Sequence, residues 1–155
     1  LFERLSLIGA DLLVETLDKI EAGTATYTKQ NHELASHVKM LKKSDGMLDF
    51  KKNCETLVNF VRGMNPWPCA YTSLNGKTLK VYKAVKADNV NTDGKKCGEI
   101  LFADSKNGLV VACGDGALRL VSVQVEGKRR MNDTEFVIGQ RIDISEKIIL
   151  GDGVC

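Results

Sequence analysis

Residues 70–85 read AYTSLNGKTLKVYKAV, and how they are read decides the fold. β-Branched and aromatic residues recur on both sides of Asn75-Gly76, a pair that favours the primed turn of a tight hairpin. Just upstream the period is different. Cys54, Leu57, Val58, Val61 and Met64 repeat at three and four residues, which predicts an amphipathic helix over 53–64 that Asn65-Pro66 ends. The stretch NPWP at 65–68 therefore stands at a helix-to-sheet junction, where each proline fixes φ and bars helix continuation. Trp67 is expected to bury its ring there and pin the helix to the sheet; the alternative is a stacking platform for a base.

Downstream of the hairpin, strands are predicted over 98–103, 109–113 and 117–125, separated by the turn signals Asn107-Gly108 and Gly114-Asp115-Gly116. In the last strand the apolar parity slips from Leu118 and Leu120 to Val121, Val123 and Val125. That slip predicts a bulge, which would bend the strand as closing a small barrel requires. Asn132 with Glu135 three residues later forms a capping-box pattern for a short helix. Five or six short strands with two or three helices give an α+β chain that is mainly β with flanking helices, built as a small open barrel resembling an oligonucleotide-binding fold.

Upstream of the hairpin, Leu5, Ile8, Leu12, Leu13, Leu17 and Ile20 fall on helical spacing and Gly23 supplies a stop, predicting a helix over 3–22. It lacks an initiator Met, an N-cap residue and a preceding element to cover its apolar stripe, so an upstream part of the protein is expected. Thr24 to Asp45 is polar and reads as a linker, with a helical turn expected around Leu34 to Leu41.

Composition limits the rest. The 155 residues are 43% hydrophobic and 27% charged, enough for one ordinary core, and no apolar run approaches the ~20 residues of a membrane span. A soluble, cytoplasmic protein with no membrane partner is expected. Cys54, Cys69, Cys97, Cys113 and Cys155 are widely spaced with no C-x-x-C, so the expectation is small buried thiols and no metal. Residues 1–38 hold three bases and six acids, 39–86 ten bases and three acids, and 87–155 nine bases and eleven acids. The middle third is thus a cationic block of the kind an anionic partner requires, although such a block is also the ordinary composition of a solvated face.

Catalytic signatures are nearly absent. His32 and His37 lie in the linker near no nucleophile and read as solvated, and no Walker, G-x-G-x-x-G, H-E-x-x-H or G-x-S-x-G pattern occurs. CGDGALRL is explained as a hairpin turn. Basic signals are richer. Strand alternation over 77–86 is expected to put Leu79, Val81 and Val85 on one face and Lys80, Tyr82 and Lys86 on the other, two ammonium groups flanking an aromatic ring. Lys128, Arg129 and Arg130 make a second patch, and Lys39, Lys42 and Lys43 a third. These nine residues are the candidate RNA-binding set, with Asn65, Pro66, Trp67 and Pro68 as the structural junction.

LIGADLLVETLDKIEAGT, LDFKKNCETLVNFVRGMNPWPCAYTSLNGKTLKVYKA and GDGALRLVSVQVEGKRRMNDTEF resemble, in order and spacing, segments of the methionyl-tRNA formyltransferase family. N-P-W-P-x-A-Y and G-K-R-R-M are its specific signatures. Cys69 stands where the family usually has Gly, Phe50 where it usually has Trp, and Cys113 where Thr is common. By this resemblance residues 1–29 correspond to the last helix of a Rossmann-like α/β catalytic domain, 30–47 to a linker and 48–155 to a tRNA-binding barrel. It implies transfer of a formyl group from 10-formyltetrahydrofolate to the amino group of methionyl initiator tRNA. The catalytic Asn, His and Asp motifs of the family lie upstream and are missing here. The expectation is a chain that binds no cofactor itself, is inactive alone and positions the tRNA. The parent would be a monomer, and the isolated piece would self-associate through the stripe of residues 5–20. The alternatives are a stand-alone nucleic-acid-binding barrel, or the tail of a related formyltransferase acting on a sugar nucleotide or of a formyltetrahydrofolate dehydrogenase.

Overall fold

The computed structural model describes residues 1–140, 142 and 144–151, and the chain divides into two compact units, Leu1–Lys39 and Met40–Cys155. In the first unit, helix α1 (Phe2–Glu21) follows the predicted stripe, and none of its residues is buried. It ends in a Schellman turn: Gly23 takes φ +68, its N–H donates to Ile20 O at 3.1 Å, and Thr24 N–H reaches Lys19 O at 2.9 Å. Instead of a helical turn at 34–41, the following segment makes one 3-10 turn at His32–Leu34, capped by Asn31. Leu34, Val38 and Leu41 fall on helical spacing but all three stay exposed, so a helix this short has no burial to repay its nucleation cost.

The second unit opens with another 3-10 turn, Lys43–Gly46. Leu48 N–H then donates to Tyr71 O at 2.8 Å, and Met47 bridges Tyr71. Helix α2 (Cys54–Met64) starts where Asn53 Oδ1 accepts the Thr56 N–H at 2.8 Å, and it buries Cys54, Leu57 and Val61. Six antiparallel strands follow: β1 (Ala70–Leu74), β2 (Lys77–Ala87), β3 (Ile100–Asp104), β4 (Gly108–Cys113), β5 (Gly116–Val125) and β6 (Met131–Asn132). Their order is β1-β2-β5-β4-β3, with β6 on β5. The barrel is open: β1 and β3 end this path, with no pairing between them among the described residues. Asn75 (φ 50) and Gly76 (φ 74) form the expected turn, which sets Leu74 opposite Lys77. Helix α3 (Asp133–Gln140) starts as predicted, with Asn132 Oδ1 accepting the Glu135 N–H at 2.7 Å.

Helices α2 and α3 both pack on the sheet's inner residues. Leu57 and Val61 of α2 and Phe136 of α3 join Leu79, Val81, Leu109, Val111, Leu118, Leu120 and Val123 in one core. Each fully buried Leu, Val or Phe in it stabilises by about 1.5–3 kcal/mol relative to exposure. The bulge expected in β5 is present. Val81 pairs with Val123, Lys83 with Ser122 and Ala84 with Leu120, so Val121 is extra on β5 and Tyr82 is extra on β2.

That paired irregularity corrects one expectation. Beyond Tyr82 the inward residue of β2 is Ala84, and Val85 is exposed. Lys86 therefore does not share a face with Lys80 and Tyr82. Trp67 is corrected as well: it is 56% exposed. Among the cysteines, Cys54, Cys69 and Cys113 are buried as expected, Cys97 is exposed, and Cys155 lies outside the described residues.

Candidate nucleic-acid interface

The outer side of β1, β2 and β5 carries the basic and aromatic side chains. Tyr71, Lys80 and Gln124 lie in register across the three strands. Tyr82 stands one step along. Its hydroxyl donates to Gln124 Oε1 at 2.6 Å, and Gln124 Nε2 donates to Lys128 O at 2.8 Å. Arg130 returns from the Gly127 turn to lie over the Tyr82 ring, its guanidinium carbon 4.4 Å from the centroid, and its Nε donates to Ser122 Oγ at 2.8 Å. Burial raises the Tyr82 phenol above its ordinary pKa while Arg130 pulls the other way, so the ring stays a neutral hydrogen-bond donor. Two of the sequence-predicted patches thus merge into one connected surface, with Lys80, Lys128 and Arg129 exposed around it.

The junction segment is tied down on both sides of its indole. Asn65 Nδ2 donates to Tyr82 O at 2.5 Å, Cys69 N–H to Met64 O at 2.9 Å, and Cys69 Sγ reaches Val81 O at 3.7 Å. Both Asn65-Pro66 and Trp67-Pro68 are cis. Cys69 has φ +73, a left-handed conformation that costs a non-glycine residue about 1–2 kcal/mol. Trp67, Pro68, Tyr71, Thr78, Lys80 and Lys43 line a cleft of about 480 Å³. The turn that carries Lys43 is held against this segment: a Cβ on Gly46 would collide with the Cys69 carbonyl.

The remaining candidates are distributed differently. Lys42, exposed, lies beside Lys43, and its N–H donates to Asp45 Oδ2 at 2.7 Å. Lys39 belongs to the first unit and is exposed. Lys86 lines a separate cleft of about 490 Å³ with Arg62, Asn59 and Asp115. His32 and His37 are exposed. What the sequence reading missed is the polar wiring, Gln124 and Ser122, and the standing of Trp67 on the surface. Parity along β5 marks Gln124 and Ser122 as outward, but only the folded sheet shows that Gln124 joins Tyr82 to Lys128 O and that Ser122 holds Arg130.

A second cluster could not be read from spacing. Cys54 Sγ and Cys113 Sγ lie 2.7 Å apart, and Asp115 Oδ1 accepts the Cys54 N–H at 2.7 Å. These three side chains could offer ligand atoms to a metal ion within 4.8 Å of one another. Burial is the leading cause that pushes both thiols above the ordinary range, whereas the Cys54 N–H holds the Asp115 carboxyl below it. The pair reads as a protonated, packed contact fastening the start of α2 to the end of β4.

A family described as formyl transferase, C-terminal domain, matches residues 40–141. The methionyl-tRNA formyltransferase of Geobacter metallireducens is 45% identical over 143 residues, 92% of this chain and 44% of that protein. The one from Lachnospira eligens is 43% identical over 155 residues, 98% of this chain and 48% of that protein. The chain therefore spans somewhat under half the length of these curated relatives. Among solved structures, a variant of HypX from Aquifex aeolicus superposes with a TM-score of 0.64 at 17% identity, covering 84% of this chain and 23% of that one. HypX in complex with tetrahydrofolic acid gives a TM-score of 0.61 at 16% identity, covering 82% of this chain and 22% of that one. At such identities the likeness is one of fold.

Proposed function

The chain belongs to the formyl transferase C-terminal domain family, and from that premise we propose that it is the tRNA-gripping part of a methionyl-tRNA formyltransferase. The observation that carries this is the joined surface of Lys80, Tyr82, Gln124 and Arg130 with Lys43 and Trp67 at its margin. Ammonium and guanidinium groups on a rigid sheet bind phosphates without reading sequence, and they fix the register of the RNA. Residues 1–29 would close the catalytic part, 30–47 link it and 48–155 hold the tRNA.

In the whole protein, the methionyl amine would attack the formyl carbon of 10-formyltetrahydrofolate, lose its proton and release tetrahydrofolate. Upstream Asn, His and Asp would polarise the carbonyl and handle the proton. This chain's share is positioning: holding the tRNA body so that the acceptor end reaches that centre. Its cleft at Trp67 carries Lys43 and Lys80 with no carboxylate among the described residues, whereas the cleft at Lys86 sets Lys86 and Arg62 against Glu55 and Asp115, so the Trp67 side is the better seat for an anion. We assign the formyl donor to the upstream part and expect no turnover from this chain alone. A cytoplasmic place follows from that role. Leu5, Ile8, Leu12, Leu13, Leu17 and Ile20 are each at least half exposed, and this stripe is expected to drive self-association of the isolated chain.

The test is tRNA affinity as a function of salt. If about six to ten phosphates are neutralised, binding falls by ~10³ or more between 50 and 200 mM salt. A change below about threefold would show that the basic surface does not hold the tRNA backbone. Equal affinity for initiator and elongator tRNA would shift the discrimination to the upstream part. Indifference to every tRNA would favour a related formyltransferase with another substrate.

A further inference from the structure

The structure exchanges the roles expected of the two candidate aromatic residues. Tyr82 was the expected stacking ring, yet one face of it is taken by Arg130 at 4.4 Å and its hydroxyl is committed to Gln124. Trp67 was expected in the core, yet it stands 56% exposed on a backbone tied down on both sides. A single exposed apolar residue needs no explanation. This one lines a cleft whose size falls within the range of small-ligand sites, about 300–1,000 Å³. The same lining holds the Lys43 and Lys80 side chains and, among the described residues, no carboxylate. An indole beside two ammonium groups is complementary to a flat ring joined to a phosphate.

We propose that the cleft bounded by Trp67, Tyr71, Lys43 and Lys80 seats one unpaired nucleotide of the bound RNA, its base stacked on the Trp67 indole and its phosphate between the two lysines. The proposal rests on the RNA-binding reading above and adds to it a site, a ligand class and a mode of contact. A paired base has both faces covered by its neighbours, so only a looped-out or single-stranded nucleotide can enter. In the adjoining cleft Gln124 has its oxygen engaged by Tyr82 and its nitrogen by Lys128 O, so it is poorly placed to read a base edge. The seat is therefore tolerant of base identity, because every base offers a π-face.

Trp67 is the only tryptophan of the chain, so its own fluorescence reports the site. With the full chain, an unstructured oligouridylate is expected to quench that emission saturably, and a fully paired RNA duplex is not. Trp67→Leu is expected to weaken tRNA binding about tenfold, with Trp67→Phe recovering much of the loss. The salt slope should be unchanged in Trp67→Leu, whereas Lys43→Gln and Lys80→Gln should each lower it by somewhat under one. Circular dichroism checks that the variants fold; should Trp67→Leu fail to fold, the quenching and Trp67→Phe decide. Steep salt dependence with unaltered emission and wild-type affinity in Trp67→Leu would overturn the seat and leave the RNA reading intact. Quenching by the duplex equal to that by oligouridylate would overturn the requirement for an unpaired base. No RNA binding at low salt would remove both.

Discussion

Asp133 shows how much one carboxylate can organise. It is 2% exposed, accepts from Arg119 Nε at 2.6 Å and takes the Thr134 N–H of the first helical turn at 3.0 Å. Gly108, at φ +76, leaves the space for it: a Cβ there would overlap the Asp133 carboxylate. Asp133→Ala is expected to cost about 2 kcal/mol, the range for losing hydrogen bonds to a charged group, moderated because Arg119 is 35% exposed and can rehydrate. A urea denaturation midpoint would measure this, and a loss under about 0.5 kcal/mol would mean that solvent replaces the carboxylate freely. Nothing in the local sequence flags this pair. Arg119 and Asp133 sit 14 residues apart, in a strand and at a helix start, and only the sheet brings them together. The same limit hides the meeting of Cys54 with Cys113, whereas the outward Trp67 departs from expectation for another reason. Burial averages favour an inward indole, whereas here the core is already filled by Leu57, Val61 and Phe136.

At the scale of elements, most boundaries were legible because period and punctuation agree. The α2 stripe, the Asn75-Gly76 turn and the Asn132 cap each name their element without help from the rest of the chain. Strand faces were less legible. Alternation predicts β2 correctly up to Val81 and fails beyond it, because Tyr82 is inserted opposite a strand that is itself bulged at Val121. The slip in β5 is plain in the sequence; its counterpart in β2 shows only as Lys83 falling on the row of Leu79, Val81 and Val85, a single charge that alternation alone does not resolve into a shift. Lys86 was misassigned for that reason. The start of α2 supplies a test of how far a local cap matters when the helix also packs. Asn53→Ala removes the acceptor for the Thr56 N–H and should cost about 1 kcal/mol in chemical denaturation, despite the second tie from Asp115 to the Cys54 N–H.

For the molecule as a whole, acid stability follows from carboxylates held in their charged form. Glu99 is buried, takes Lys95 Nζ at 2.9 Å and the Lys96 N–H at 3.1 Å, and the Lys95 bond foremost keeps its carboxyl below the ordinary range. Asp104 and Asp115 are lowered in the same sense by Asn107 and by the Cys54 N–H. A lowered folded-state value means that the folded chain binds fewer protons than the unfolded one. The stabilisation is complete above the unfolded values, about 3.9 for Asp and 4.3 for Glu, and drains away as pH falls through the lowered folded values. Glu99→Gln should flatten this acid limb, seen as a smaller drop in urea midpoint between pH 5 and 3; an unchanged drop would assign acid sensitivity to other groups. Fold class was visible at this scale from strand count and turn signals, but strand order was not, because pairing partners are chosen by packing across the sheet. The order has a consequence for how the chain is made. Strand β5 is the shared neighbour of β2, β4 and β6, yet of the strands of this sheet it is the fifth to emerge from a ribosome. Until residues 116–125 are synthesised, the two earlier hairpins have bare edges and no common partner. A single ten-residue segment turns two separate ribbons into one sheet, so a nascent chain stalled just before it holds both hairpins with nothing to join them.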